Sequence, residues 1–316
     1  EDWTLGLVEQ VWGVGTAVGF GDVCHLPSVR VETHAMKSYE RRVLGTRVLL
    51  ESALRTLAEN GRELRGARAA DEKGDPREIT LSWDSPGDES TTRVFRGIES
   101  RLRPSPVTGG FWVEWTGNPF AMELPVQVYS EPRESVTRPA AYWIPPAWND
   151  VIERLQAQGI EFERIGEPRD IEATFYRFED LEVAGTPEEG RMRVAGATAR
   201  ETHTKQFPAG SVRVPTDQAL GELVVLLLEP GSPDSFFQWG FFLEVLQPAG
   251  DAAEYIMEPM ALRMFSDNPG LRREFTEKVL NDPEFAADAE ARLEWFYRNT
   301  PFFDPLWRLY PVAREE

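Results

Sequence analysis

Glu32-Thr33-His34 is the stretch of this chain whose residue types are best placed to do chemistry. It closes the run Ser28-Val29-Arg30-Val31-Glu32, in which β-branched Val29 and Val31 alternate with Ser28, Arg30 and Glu32. That alternation predicts a short strand opened by Pro27, with the valines buried and Glu32 turned to the opposite face. A carboxylate at a strand's end is suited to general-base work, taking a proton from an attacking group and later returning it. From Ser38, a candidate N-cap, the apolar residues Val43, Leu44, Val48, Leu50, Leu54 and Leu57 recur at helical spacing, and Asn60-Gly61 supplies a stop. Val43, Leu50, Leu54 and Leu57 are expected to be buried against a parallel or mixed sheet. Strand, acid and long amphipathic helix follow in the order found in α/β enzymes whose catalytic groups sit at strand ends.

The three histidines are His25, His34 and His203. None has Glu or His at i+3 or i+4, so none begins a compact metal site. His25, between Cys24 and Leu26-Pro27, reads as an ordinary partly buried residue in a loop. His34 shares the face of Glu32 and is a candidate hydrogen-bonding neighbour of it, not a ligand. His203, in Arg200-Glu201-Thr202-His203-Thr204-Lys205, reads as part of a solvated strand.

The run Leu26-Pro27-Ser28-Val29-Arg30-Val31-Glu32-Thr33-His34, followed by Lys37-Ser38-Tyr39-Glu40-Arg41-Arg42-Val43, resembles the zinc carboxypeptidases, the carboxypeptidase A-like metallopeptidases, and within them the large bacterial branch with a long C-terminal extension. Tyr142-Trp143-Ile144-Pro145 with Trp148, Pro208-Ala209-Gly210-Ser211, Leu227-Leu228-Glu229-Pro230 with Asp234, Trp239-Gly240-Phe241-Phe242 and Phe296-Tyr297-Arg298-Asn299-Thr300-Pro301 resemble that extension, so the matches run over nearly the whole chain. The resemblance implies that Glu32 polarises a zinc-bound water and shuttles its proton. It also implies zinc ligands in an H-x-x-E motif plus a distant third His, all upstream of this glutamate. The thirty-one residues before Glu32 contain His25 and no H-x-x-E. Zinc is therefore expected in a parent protein and not in this chain alone, and the partner is an upstream peptidase segment carrying the ligands. Absence of an initiating Met, joined to the missing motif, reads as a processed or trimmed N-terminus.

Other chemistries are less well supported. Gly13-Val14-Gly15-Thr16-Ala17-Val18-Gly19 has its third glycine one place late for G-x-G-x-x-G and reads as a flexible rim loop. No G-x-S-x-G elbow is present, and adjacency does not make Cys24 and His25 a nucleophile and base. Acid pairs such as Glu188-Glu189 and Asp71-Glu72 lie in polar segments and read as solvated charges.

The 34 Lys and Arg against 53 Asp and Glu give a net charge of -19, which leaves no basic surface to drive counterion release, so nucleic acid is not an expected partner. The longest apolar runs, such as Leu223 to Leu228, are too short to span a membrane. One cysteine excludes an internal disulfide and a cysteine-rich zinc module but fits either redox compartment.

Composition divides the chain into residues 1–61, the end of an α/β peptidase-like domain; a charged linker, 62–78; an antiparallel β-sandwich-like unit, 79–138; and an α+β accessory unit, 139–316. The β-rich unit rests on short alternating runs at Ile79–Trp83, Thr92–Glu99, Phe111–Trp115 and Leu124–Tyr129. Its Trp83, Trp112, Trp115 and Phe120 read as core more than as a stacking platform, since Trp112 and Trp115 have opposite parity. In the last unit a helix is expected from Asn149 to Gln158, strands over Ile160–Ile165, Ala173–Val183, Arg191–Phe207 and Ser211–Val214, and apolar helices over Gln218–Leu228 and Asp234–Leu246 with Phe241 in the core. The rest is helical, punctuated at Asn268-Pro269, Asp282-Pro283 and Asp304-Pro305. The overall expectation is mixed α/β and α+β, part of a metallopeptidase acting on a peptide-like substrate, or, as the competing class, a non-catalytic binding or structural module or a pseudoenzyme.

Overall fold

A computed structural model describes residues 6–35, 37–74, 76–84, 91–247 and 253–316; Met36 of the expected strand-to-helix segment and Asp75 of the expected linker lie outside these. In chain order the elements are β1 (Leu7–Glu9), α1 (Ala17–Val23), α2 (Tyr39–Asp71), β2 (Glu78–Asp84), β3 (Thr91–Pro104), β4 (Phe111–Val128), β5 (Glu131–Thr137), β6 (Ala141–Ile144), α3 (Asn149–Ala157), β7 (Glu163–Arg164), β8 (Arg169–Val183), β9 (Val194–Phe207), β10 (Val212–Pro215), α4 (Gly221–Leu228), α5 (Glu254–Asp267), α6 (Pro269–Asn281), α7 (Pro283–Ala287), α8 (Ala289–Arg298) and β11 (Ala313–Glu315). The chain is mixed α and β with antiparallel sheets. It divides into two compact units, one taking residues up to Tyr142 with Asp150–Glu163 and Arg213–Gln238, the other Trp143–Asn149, Arg164–Val212 and Trp239–Glu316.

In the first unit the four strands after α2 nest. β3 pairs antiparallel with β4, and β2 pairs antiparallel with β5 from Glu78↔Thr137 to Asp84↔Glu131. β1 adds a short parallel strand to the far end of β4, Leu7↔Val126 to Glu9↔Val128. Phe111–Trp115 and Leu124–Tyr129, expected as separate strands, belong almost entirely to the single strand β4, which tolerates the positive φ of Gly117 where the β3 register shifts. Ile79, Leu81, Leu124, Val126 and Val136 supply the buried faces, and α4 contributes Leu223, Val224, Val225 and Leu228. Tyr142 donates to buried Glu229 at 2.5 Å, so a carboxylate at the C-terminal end of α4 is satisfied inside the unit.

In the second unit β8 pairs antiparallel with β9 over most of its length and meets β11 at Thr174↔Arg314. Trp143, Ile165, Ala173, Phe175, Phe207, Leu309 and Ala313 form its core. The tail helices α5 to α8 have a core of their own around Met257, Leu271, Phe275, Phe285 and Phe296. The expected punctuation holds for two of them. Asn268 accepts from the amides of Gly270 and Leu271, and Asp282 from that of Phe285, each ahead of a proline at the first helical position.

Four local expectations are corrected. No strand forms over Ser28–Glu32, and Val29 is 82% exposed. A β-branched run becomes a strand only when its amides find a ladder, and no described segment lies alongside to provide one. α2 does not stop at Asn60-Gly61 but continues to Asp71, through most of the segment expected as linker. A mid-helix glycine costs about 1 kcal/mol, and the following Arg62-Glu63-Leu64-Arg65, Ala67, Ala69 and Ala70 are good helix formers that outweigh it. Val43, Leu50, Leu54 and Leu57 are exposed, and α2 has no buried residue. Within the described residues, then, α2 has no sheet to pack against, whereas β1 of the same segment joins a mixed sheet through β4. Asp234–Leu246 is a series of turns ending in a single 3-10 turn, Leu243–Leu246, with Phe242 in the core and Phe241 half-buried.

Candidate functional site

The residues singled out for chemistry lie in the first unit, around the loop between α1 and α2. Glu32 and His34 are both exposed. The Glu32 carboxylate is paired with the Arg30 guanidinium, and Arg30 in turn lies over the Trp12 ring, 5.4 Å from its centroid. Glu32 is thus tied through Arg30 to Trp12. No described group of three or more His, Cys, Asp or Glu side chains is arranged to hold a metal ion.

Trp12 is one wall of a cavity of about 680 Å3 within this unit, also lined by Trp83, Tyr129, Arg133, Glu222 and Asp234. Its rim is the Gly13-Val14-Gly15 turn. The Gly15 amide donates to the Asp234 carboxylate at 3.0 Å, and a Cβ on either Gly13 or Gly15 would collide with that carboxylate. Glycine is required here because a side chain of the protein lies against the backbone. A carboxylate already holding the Gly15 amide leaves no place for a phosphate, and α1, capped by the Thr16 hydroxyl, is only seven residues long. Gly13 to Gly15 thus form a turn pinned by Asp234, while Ala17 to Gly19, expected as part of a flexible loop, are instead the first turn of α1.

Beside the cavity stands an ionisable group that the sequence did not announce. His25, in a left-handed conformation with φ of 57°, places Nδ1 2.6 Å from Asp71 Oδ2 at the last turn of α2. Both act on Glu222 in the first turn of α4. Burial raises the Glu222 carboxyl above its ordinary range, with the charges of Asp22 and Asp71 adding to the rise and those of His25 and Arg138 opposing it. Cys24 is buried, and burial pushes its thiol up despite Arg68 nearby, the opposite of an activated nucleophile. In the second unit, His203 is an exposed strand residue that stacks on Phe175 at 4.3 Å. No spacing rule links His25 to Asp71 forty-six positions on, or either to Glu222; the one local signal was Leu26-Pro27 after His25, which reads as a loop.

Comparison with known proteins gives relatives but no family model: none matches this sequence. No solved structure matches it either. Carboxypeptidase 2 of Trichophyton rubrum is 28% identical over 216 residues, covering 65% of this chain and 36% of the relative, and carboxypeptidase 2 of Trichophyton tonsurans gives the same figures. Probable carboxypeptidase 2 of Trichophyton verrucosum is 27% identical over 205 residues, covering 62% of this chain and 35% of the relative. The chain therefore spans little more than a third of the length of the curated relatives it matches. These similarities support a carboxypeptidase family relationship.

Proposed function

We propose that this chain is the part of a zinc carboxypeptidase that carries the general base, Glu32, and that it hydrolyses a peptide or related amide near a C-terminal carboxylate only together with further polypeptide bearing the zinc ligands. The observation that carries the reading is the joint placement of Glu32 and α2. An exposed carboxylate stands just ahead of a 33-residue helix whose Val43, Leu50, Leu54 and Leu57 find no cover among the described residues. A helix with Val43, Leu50, Leu54 and Leu57 in water calls for a surface that these residues do not include. Relatives named carboxypeptidase, of which the match covers only 36%, agree with that need.

The described side chains do not fit a zinc ion, since no three of the ligating types converge. The role assigned to this chain is accordingly limited to its own atoms. Glu32 Oε1 or Oε2 accepts a proton from the attacking group and returns it to the leaving nitrogen, and Arg30 orients the carboxylate before substrate arrives. The proposal to place it in the large bacterial branch rests on the tail motifs; the relatives named above are fungal. The same missing ligand set favours the second reading, a non-catalytic binding or structural module or a pseudoenzyme. Joining the chain to a segment with H-x-x-E and a third His, and assaying release of C-terminal residues with and without Glu32→Gln, separates the two. Activity lost in the variant supports the enzyme, and no activity in either protein supports the module.

A further inference from the structure

The β3–β4 ribbon has one face that nothing among the described residues covers. Residues opposite one another in an antiparallel register share a face. The pairs Val94↔Glu123, Arg96↔Ala121, Ile98↔Pro119, Ser100↔Trp115, Leu102↔Val113 and Pro104↔Phe111 therefore stand on one side. The alternate set, with Phe95, Phe120, Met122, Leu124 and Val126, faces inward along the base of the ribbon and is half-buried or buried. On the outward side Val94, Ile98, Leu102, Phe111, Val113 and Trp115 are all exposed, a continuous apolar strip instead of scattered single residues.

Two further features lie on that strip. A hollow of about 550 Å3 is lined by Arg96, Gly97, Ile98, Pro119, Phe120 and Ala121. Trp115, 59% exposed, projects from the same face a few residues along β4. The strip's charges are Arg96 and Glu123, equal and opposite in a chain of net charge -19, and neither side chain makes a hydrogen bond or ion pair among the described residues. A knob, a hollow to one side of it, and one charge of each sign on a single face are what a self-complementary surface needs. In a two-fold pairing each feature meets its counterpart at once. A strongly basic or strongly acidic partner would find one matching charge and one opposing it, whereas a like surface satisfies both.

We propose that this face is where two copies of the chain associate, sheet against sheet about a two-fold axis, with Trp115 of each copy seated in the hollow of the other under Arg96. The cation then lies against an indole face, and Glu123 lies within reach of the opposing Arg96. The proposal does not depend on the catalytic reading.

Sedimentation equilibrium of the 316-residue chain tests it. The expected result is a monomer–dimer equilibrium with dissociation constant in the range of about 1 to 10 μM. Trp115→Ala should raise that constant by at least about 30-fold, as loss of a central aromatic anchor does. Trp112→Ala, on the opposite face of the ribbon, should leave it within about twofold. Arg96→Glu should weaken association, and Arg96→Glu with Glu123→Arg should restore it. Far-UV circular dichroism confirms that each variant keeps its fold; all the substituted residues are exposed. A chain that stays monomeric at about 0.1 mM overturns the proposal, as does a dimer indifferent to Trp115→Ala, one equally sensitive to Trp112→Ala, or a monomer that uses this face for a different polypeptide.

Discussion

His25 Nδ1 and Asp71 Oδ2 lie 2.6 Å apart, joining the loop after α1 to the last turn of a helix that has no buried residue. The His25 side chain is mostly buried and that of Asp71 mostly exposed, so the contact anchors the end of α2 to the unit. His25→Ala should therefore speed amide exchange in the Arg68–Glu72 turn while leaving β2 and β5 unchanged. Exchange that is unaltered throughout would show that the contact anchors nothing.

Glu222 gives a pH signature. Its folded carboxyl sits above its unfolded value because burial disfavours the charged form. The contribution is fully present below the unfolded value, about pH 4.3, and is lost as pH rises through the raised folded value. Glu222→Gln, which removes the charge, should therefore stabilise the chain at pH 7 and be neutral near pH 3.5. Urea midpoints at the two pH values measure this. A variant less stable at pH 7 would contradict the placement of Glu222 in a charge-averse environment.

Phe242 and Phe241 should separate cleanly. Phe242 is buried, with its ring edge-on to Trp148 at 4.8 Å and to Tyr310 at 5.1 Å, whereas Phe241 is half-buried beneath the Arg191 guanidinium. Phe242→Ala should cost about 3–5 kcal/mol and Phe241→Ala clearly less. Equal losses in chemical denaturation would contradict this.

These residues also show what the sequence could reveal. Period-two runs located β2, β3, β8, β9 and β10, and Asn268 and Asp282 marked helix starts correctly, because side-chain alternation and capping are written in neighbouring residues. Asp234–Leu246 is as apolar as a buried helix but carries Gly240 in a positive-φ turn, and its rings enter the core from irregular backbone. Trp112 and Trp115 have opposite parity, yet both are exposed, since the ribbon's outer end has no covered face. Of the site residues, Glu32 and His34 were legible as residue types, but not their exposure, because alternation assumes a sheet to join. The His25, Asp71 and Glu222 group depends on contacts distant in sequence and left no periodic trace.

α2 supplies a test of where its face belongs. Leu50→Ser with Leu54→Ser should shift the stability of the 316-residue chain by no more than about 0.5 kcal/mol per site, as at exposed positions generally. The same pair should weaken association with, or stability of, a polypeptide joined to the ligand-bearing segment. A large loss in the chain alone would place the helix against a surface within it.

The most direct measurement is the rate of C-terminal residue release by the joined protein, with Glu32 intact and as Glu32→Gln. The 316-residue chain by itself should release nothing, with or without added zinc, because the described residues do not form a ligand set. The joined protein should be active, and Glu32→Gln, which keeps shape and removes the base, should lower kcat by about 10²- to 10⁴-fold with little change in KM. Full activity of Glu32→Gln in that protein would contradict the account.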